Sequence, residues 1–204
     1  MLSAQALWRW SKRLSPLMTK RRVDPGKGVD RDPQLDLETP RARRRQALRG
    51  QVPALQLDSG ELVTEGPVIV QMIADKAAGK NLAPANGSTE RYKLQEWLNF
   101  ITTELHKNFS PLFQPTIPDE VKTFFKDRIK GKFKYADSKL AGQDYLMGKQ
   151  FTVADGYLFV MLKWAERTGM DLSEFKNLMA YKDRVAARPN VQAALKMEGQ
   201  LKAA

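Results

Sequence analysis

Phe151-Thr152-Val153-Ala154-Asp155 decides how this chain folds. Thr152 and Asp155 stand three residues apart, the spacing of a capping box, at the head of an apolar run. Val153, Tyr157, Met161 and Trp164 follow at helical intervals, so the stretch predicts a core helix whose start is fixed by its own side chains. Loss of Thr152 or Asp155 is expected to cost on the order of 1 kcal/mol or more.

The same period runs outward from there. On the C-terminal side, Ser173 is expected to begin a helix carrying Phe175, Leu178, Met179 and Val185. Arg188-Pro189 breaks it, and a last helix is expected from Val191 to Met197. On the N-terminal side, Asp119-Glu120 opens a long amphipathic helix to about Leu140, after a loop holding Pro111, Pro115 and Pro118. Before that, Ser88 or Thr89 starts a helix with the stripe Leu94, Trp97, Leu98, Ile101 and Leu105. Further back the period changes. Gln51 to Leu57 and Glu61 to Thr64 read as two short strands around the Asp58-Ser59-Gly60 turn. Thr64-Glu65-Gly66-Pro67 then opens a helix with Pro at a tolerated first-turn position and Ile69, Met72, Ile73 and Ala77 on its apolar face. The class is α+β and mostly helical.

Composition narrows the function. The chain has 204 residues, no cysteine and one histidine, His106. That excludes disulfides, thiolate metal sites, a cysteine nucleophile and any relay through two histidines in this sequence. No run of eighteen apolar residues offers a membrane span. The net charge of +11 is concentrated: residues 1–50 hold 13 Lys+Arg against 5 Asp+Glu, with ten of the fifteen arginines. This basic first quarter, broken by Pro25, Pro33 and Pro40, has no strand or helix pattern. Residues 1–22 lack acids and suit an organellar presequence. An Arg-rich tether for nucleic acid and a plain solvated tail are the other readings, and a tether predicts binding that falls steeply with salt. Nucleic acid is the least favoured partner.

Seven short motifs stand in order: Gly-Gln-Val-Pro-Ala-Leu at 50–55, Leu-Val-Thr-Glu-Gly-Pro at 62–67, Leu-Ala-Pro at 82–84, Glu-Trp-Leu-Asn-Phe at 96–100, Glu-Leu-His-Lys at 104–107, Phe-Thr-Val-Ala-Asp at 151–155, and Ala-Arg-Pro-Asn-Val-Gln-Ala-Ala-Leu at 187–195. Together they resemble the bacterial beta-class glutathione S-transferases over residues 50–199. The resemblance implies a thioredoxin-like domain followed by an all-helical domain, a cytoplasmic homodimer, glutathione as co-substrate, no metal, and a hydrophobic electrophile as the second substrate. On that basis residues 1–49 are an atypical basic segment, 50–80 a remnant of a degraded thioredoxin-like glutathione-binding domain, and 87–204 the helical domain.

The resemblance also implies roles for single residues. The backbone of Val52, ahead of a cis Pro53, pairs with the cysteinyl part of glutathione. Glu65 and Gly66 hold its γ-glutamyl end at a helix N-terminus, where backbone amides suit an anion. Asn99 and His106, two helical turns apart, point at the sulfur, and His106 polarises the thiol. Glu104 reaches the glutathione of the partner subunit. The residue pattern alone reads Glu65 as a helix cap, Glu104 as a solvated charge and His106 as a surface or core histidine. Trp97 and Trp164 fall on apolar stripes and read as core. Phe109, Phe113 and Tyr157 are packing residues or cleft lining.

One part of the family pattern is missing. The resemblance calls for a strand leading into a turn that bears a catalytic cysteine, and its register places that cysteine on Trp10. Ser11 alongside it has no strand before it and reads as coincidence. A shifted reading frame would explain the arginine-rich text, since the codons of Trp8 to Arg13 can also spell Ala-Leu-Glu-Gln-Ala. A non-catalytic helical binding module is the alternative function.

Overall fold

In a computed structural model, residues 53–200 are described. The proposed presequence, tether or shifted-frame segment, Ser11 and Val52 lie outside them, as does the Val52–Pro53 bond. The chain divides into two compact units, one up to Ile73 and one from Ala74.

In the first unit, β1 (Ala54–Gln56) and β2 (Leu62–Thr64) pair antiparallel, with Leu55 opposite Val63. Gly60 closes the turn at φ 87°, a region other residues enter at a cost, and its N–H donates to Leu57 O at 2.9 Å. Helix α1 (Gly66–Lys76) follows and buries Ile69, Val70, Ile73 and Ala74, so Val70 and Ala74 join the face while Met72 and Ala77 are half-buried.

The second unit is helical among the described residues. Helix α2 (Thr89–Phe100) starts where Ser88 accepts from the Arg91 N–H at 3.1 Å. The buried Arg91 guanidinium grips both oxygens of Asp75 at 2.6 and 2.7 Å and the Pro84 carbonyl at 2.7 Å. Asp75, Pro84 and Arg91 all belong to the second unit, so this clamp is internal to it. The chain then widens into a π turn (Ile101–His106), narrows to α3 (Lys107–Phe109), and tightens into a 3-10 turn (Ser110–Phe113). Helices α4 (Asp119–Lys139), α5 (Val153–Arg167), α6 (Lys176–Ala186) and α7 (Pro189–Gln200) complete it.

Helix α5 is the axis of this unit, packed by α2, the π turn and α6. Eleven of its fifteen residues are buried. At its head Asp155 Oδ2 accepts from the Thr152 N–H at 2.7 Å and the Thr152 hydroxyl at 2.9 Å. Asp155 Oδ1 accepts from the Leu146 N–H at 2.8 Å and the Tyr181 hydroxyl at 3.2 Å. The capping box therefore clamps a loop and α6 as well as its own helix. Burial pushes the Asp155 carboxyl up, and these donors pull it back. At the other end Gly169, at φ 68°, turns the chain so that Met170 N–H reaches the Ala165 carbonyl at 3.0 Å. Each fully buried side chain, such as Leu98, Leu105, Phe133 or Leu158, contributes about 1.5–3 kcal/mol.

Three expectations are corrected. Ser173 does not begin a helix: its N–H is taken by Asp171 Oδ1 at 2.9 Å in a local turn that competes with helix, and α6 starts at Lys176. There Asp137 of α4 caps α6 from outside, accepting the Leu178 N–H at 2.8 Å. The last helix is longer at both ends, Pro189–Gln200, because proline is suited to a first helical position. Trp97 is half-buried rather than core, in a cluster with Phe100 and the exposed Tyr135.

Candidate glutathione site

Glu65 stands between β2 and α1 with φ 68°, one of two non-glycine residues in the left-handed region among those described. Such a residue costs on the order of 1 kcal/mol or more and persists only where its surroundings hold it. Its carbonyl accepts the Val68 and Ile69 N–H groups at 3.1 and 3.0 Å, so its backbone starts α1 while its side chain is exposed. A Cβ added to Gly66 would meet Pro53 Cγ at 3.8 Å, ordinary contact, which sets Pro53 beside the head of α1. Pro53, Glu65 and Gly66 thus come together in the first unit.

In the second unit the π turn governs the geometry. Its wider bonds disturb the backbone ladder at the end of α2, and two threonine hydroxyls serve the carbonyls there. Thr102 donates to Leu98 O at 2.7 Å and Thr103 to Asn99 O at 3.1 Å. With a π turn between them, Asn99 and His106 are no longer related by two regular α turns. Asn99 is exposed on the last turn of α2. His106, half-buried, is directed at α5.

There His106 Nδ1 lies 2.6 Å from the Tyr157 hydroxyl. Its ring meets the edges of Tyr157 and Trp164 at centroid distances of 5.7 and 4.8 Å. Burial, with Lys107 next in sequence, pushes its pKa down to about 4, so it is neutral at physiological pH. Glu104, on the same turn, is held by Lys132 of α4 at 2.7 Å. That hydrogen bond keeps its carboxyl below the usual carboxylate range, with burial opposing and the charges of Lys132 and Arg128 assisting.

Phe109 is fully buried between Phe133 and Trp164 and lines no cleft. Phe113 is exposed and stacks on Phe109. Trp164 is core as expected. Lys132 escaped the sequence reading, giving no signal on its polar helix face. Tyr157 was read as packing or cleft lining, and its bond to His106 was missed although a hydroxyl on a buried stripe needs a partner. Among the described residues no three His, Asp or Glu side chains group as a metal site, and no helix is long and apolar enough to cross a membrane.

Against known proteins, the chain is 44% identical over 151 residues to glutathione S-transferase GstA of Escherichia coli O157:H7, covering 74% of this chain and 75% of that one. The chain belongs to the glutathione S-transferase family. The family described as "Glutathione S-transferase, C-terminal domain" matches residues 103–198, from the π turn to α7. Among solved structures, a sphingomonad glutathione S-transferase complexed with glutathione superposes with TM-score 0.71 at 47% identity, covering 74% of this chain and 75% of that one. The bacterial beta-class enzyme of Sphingomonas chungbukensis superposes with TM-score 0.78 at 37% identity, covering 97% of each. The α+β, mostly helical class and the resemblance to bacterial glutathione S-transferases agree with these matches.

Proposed function

We infer that this chain is a glutathione transferase, joining the sulfur of glutathione to an electrophilic carbon of a hydrophobic co-substrate. The thiol of bound glutathione loses its proton to water. The thiolate then forms the S–C bond as the leaving group departs with its electron pair. The sequence has no cysteine, so the only thiolate needed is that of glutathione. This chain has no thiol of its own for a mixed disulfide with glutathione.

The observation that carries this reading is His106, the one histidine, neutral and half-buried with Nδ1 engaged by Tyr157. A positioned neutral imidazole stabilises a forming thiolate by donating a hydrogen bond from its ring N–H. Glu65 supports the reading as the group for the γ-glutamyl ammonium, with Gly66 at the amide-rich start of α1 for its carboxylate. Val52 pairs along the cysteinyl backbone. Asn99 contacts the sulfur end, and Glu104 serves the glutathione of a partner subunit in a homodimer, sharing its charge with Lys132. Pro53, Thr152 and Asp155 are structural. We assign residues 50–80 to glutathione binding and 87–204 to the helical domain, with the enzyme in the cytoplasm and no metal required.

The test is conjugation of glutathione to an activated aryl halide, followed spectrophotometrically. Active wild type and a His106→Gln variant lowered about 100-fold in kcat/KM are expected. Inactivity of a folded wild type would favour a helical binding module instead.

A further inference from the structure

Tyr157 raises a question that the transferase reading leaves open: which ring nitrogen of His106 carries the proton. The His106–Tyr157 bond joins two groups fixed on different elements, the end of the π turn and the second turn of α5. Tyr157 is buried, and Trp164 packs against the imidazole in a T-shaped contact at 4.8 Å, so the half-buried His106 ring is flanked by both. A phenol is a stronger hydrogen-bond donor than a neutral imidazole N–H, and an unprotonated imidazole nitrogen is a strong acceptor. A separation of 2.6 Å is a hydrogen bond with either group as donor, and the stronger donor, the phenol, is favoured. The proton on a neutral imidazole then sits on the other nitrogen.

We propose that Tyr157 is a positioning residue that donates its hydroxyl to His106 Nδ1 and so fixes the Nε2–H tautomer as the group presented to the glutathione sulfur. The kinetic part of this rests on the transferase reading; the tautomer does not. A donor at Nε2 stabilises a thiolate, whereas the other tautomer would set a lone pair against it. Tyr157 acts on the thiol through His106 in this scheme, as a positioning residue.

With a single histidine in the chain, nitrogen-15 NMR of the full-length protein reads the imidazole without ambiguity. The wild type at neutral pH should show a protonated Nε2 and an unprotonated Nδ1 as one species. Tyr157→Phe should give a mixture of tautomers and a kcat lowered about tenfold, with KM for glutathione little changed. Trp164→Phe, which removes packing alone, should keep the single tautomer. A protonated Nδ1 in the wild type overturns the proposal, and so does a Tyr157→Phe protein with the same tautomer and kcat as wild type. If Tyr157→Phe does not fold, the wild-type spectrum still decides between the tautomers. A wild type with the Nε2–H signature but no conjugation would refute the transferase reading and uphold the tautomer assignment.

Discussion

None of the six residues in the hairpin's strands is fully buried, whereas eleven of the fifteen residues of α5 are. Two three-residue strands make few bonds and cover little apolar surface, which leaves such a piece marginal by itself. The helical unit closes its own ends instead: Asp155 caps α5 and binds Leu146 and Tyr181, and Asp137 of α4 caps α6. The two regions therefore fail differently. Damage to the helical unit is expected to register as lost stability, and, if Glu65 holds glutathione as proposed, damage there as lost ligand.

The largest effect expected from breaking this contrast is Asp155→Ala. It strands the Thr152 and Leu146 N–H groups and the Thr152 hydroxyl, while the Tyr181 hydroxyl keeps the Asp155 backbone carbonyl at 3.1 Å, and should cost about 3–5 kcal/mol in urea unfolding. A loss under 1 kcal/mol would mean the clamp is ornamental.

His106 crosses this contrast, because it lies in the helical unit and is the residue proposed to act on the glutathione thiol. Its folded pKa of about 4 is below its ordinary 6.5, so the unfolded chain binds the extra proton between those values. Stability attributable to keeping it neutral is full above pH 6.5 and is lost as pH falls toward 4, by on the order of 2–3 kcal/mol. The stability difference between wild type and His106→Gln should shrink by that amount across the window; a flat difference would place the imidazole in solvent.

Smaller effects belong to the first unit. Glu65→Ala removes the carboxylate without changing the backbone demand at φ 68°, and should weaken glutathione binding about tenfold with little change in stability. Glu65→Gly separates the two roles: it should gain up to about 1 kcal/mol of stability while binding equally poorly. Gly66→Ala should be the mildest, within about 0.5 kcal/mol, since its Cβ meets Pro53 at ordinary distance. A severe loss in thermal melting would contradict that packing.

Much of this was legible in the sequence. The hairpin, the caps at Ser88 and Thr152, and the buried stripe of Leu94, Leu98, Ile101 and Leu105 follow from local chemistry and period and lie where expected; Trp97, on the same stripe, does not. The π turn was not. It packs against α4 and α5, and the regular period of Ile101 to Leu105 gives no sign of it. With it went the two-turn relation of Asn99 to His106. The Glu104–Lys132 pair joins residues 28 apart in sequence and has no local signature. Seven motifs in order were enough to name the family.

What decides between transferase and helical binding module is whether this chain, with its basic first quarter and no cysteine, holds glutathione. Calorimetric titration of glutathione into the full chain should give saturable binding that Glu65→Ala weakens about tenfold, with the helical circular dichroism of the two proteins the same. A folded, helical protein that takes up no glutathione would contradict the transferase reading.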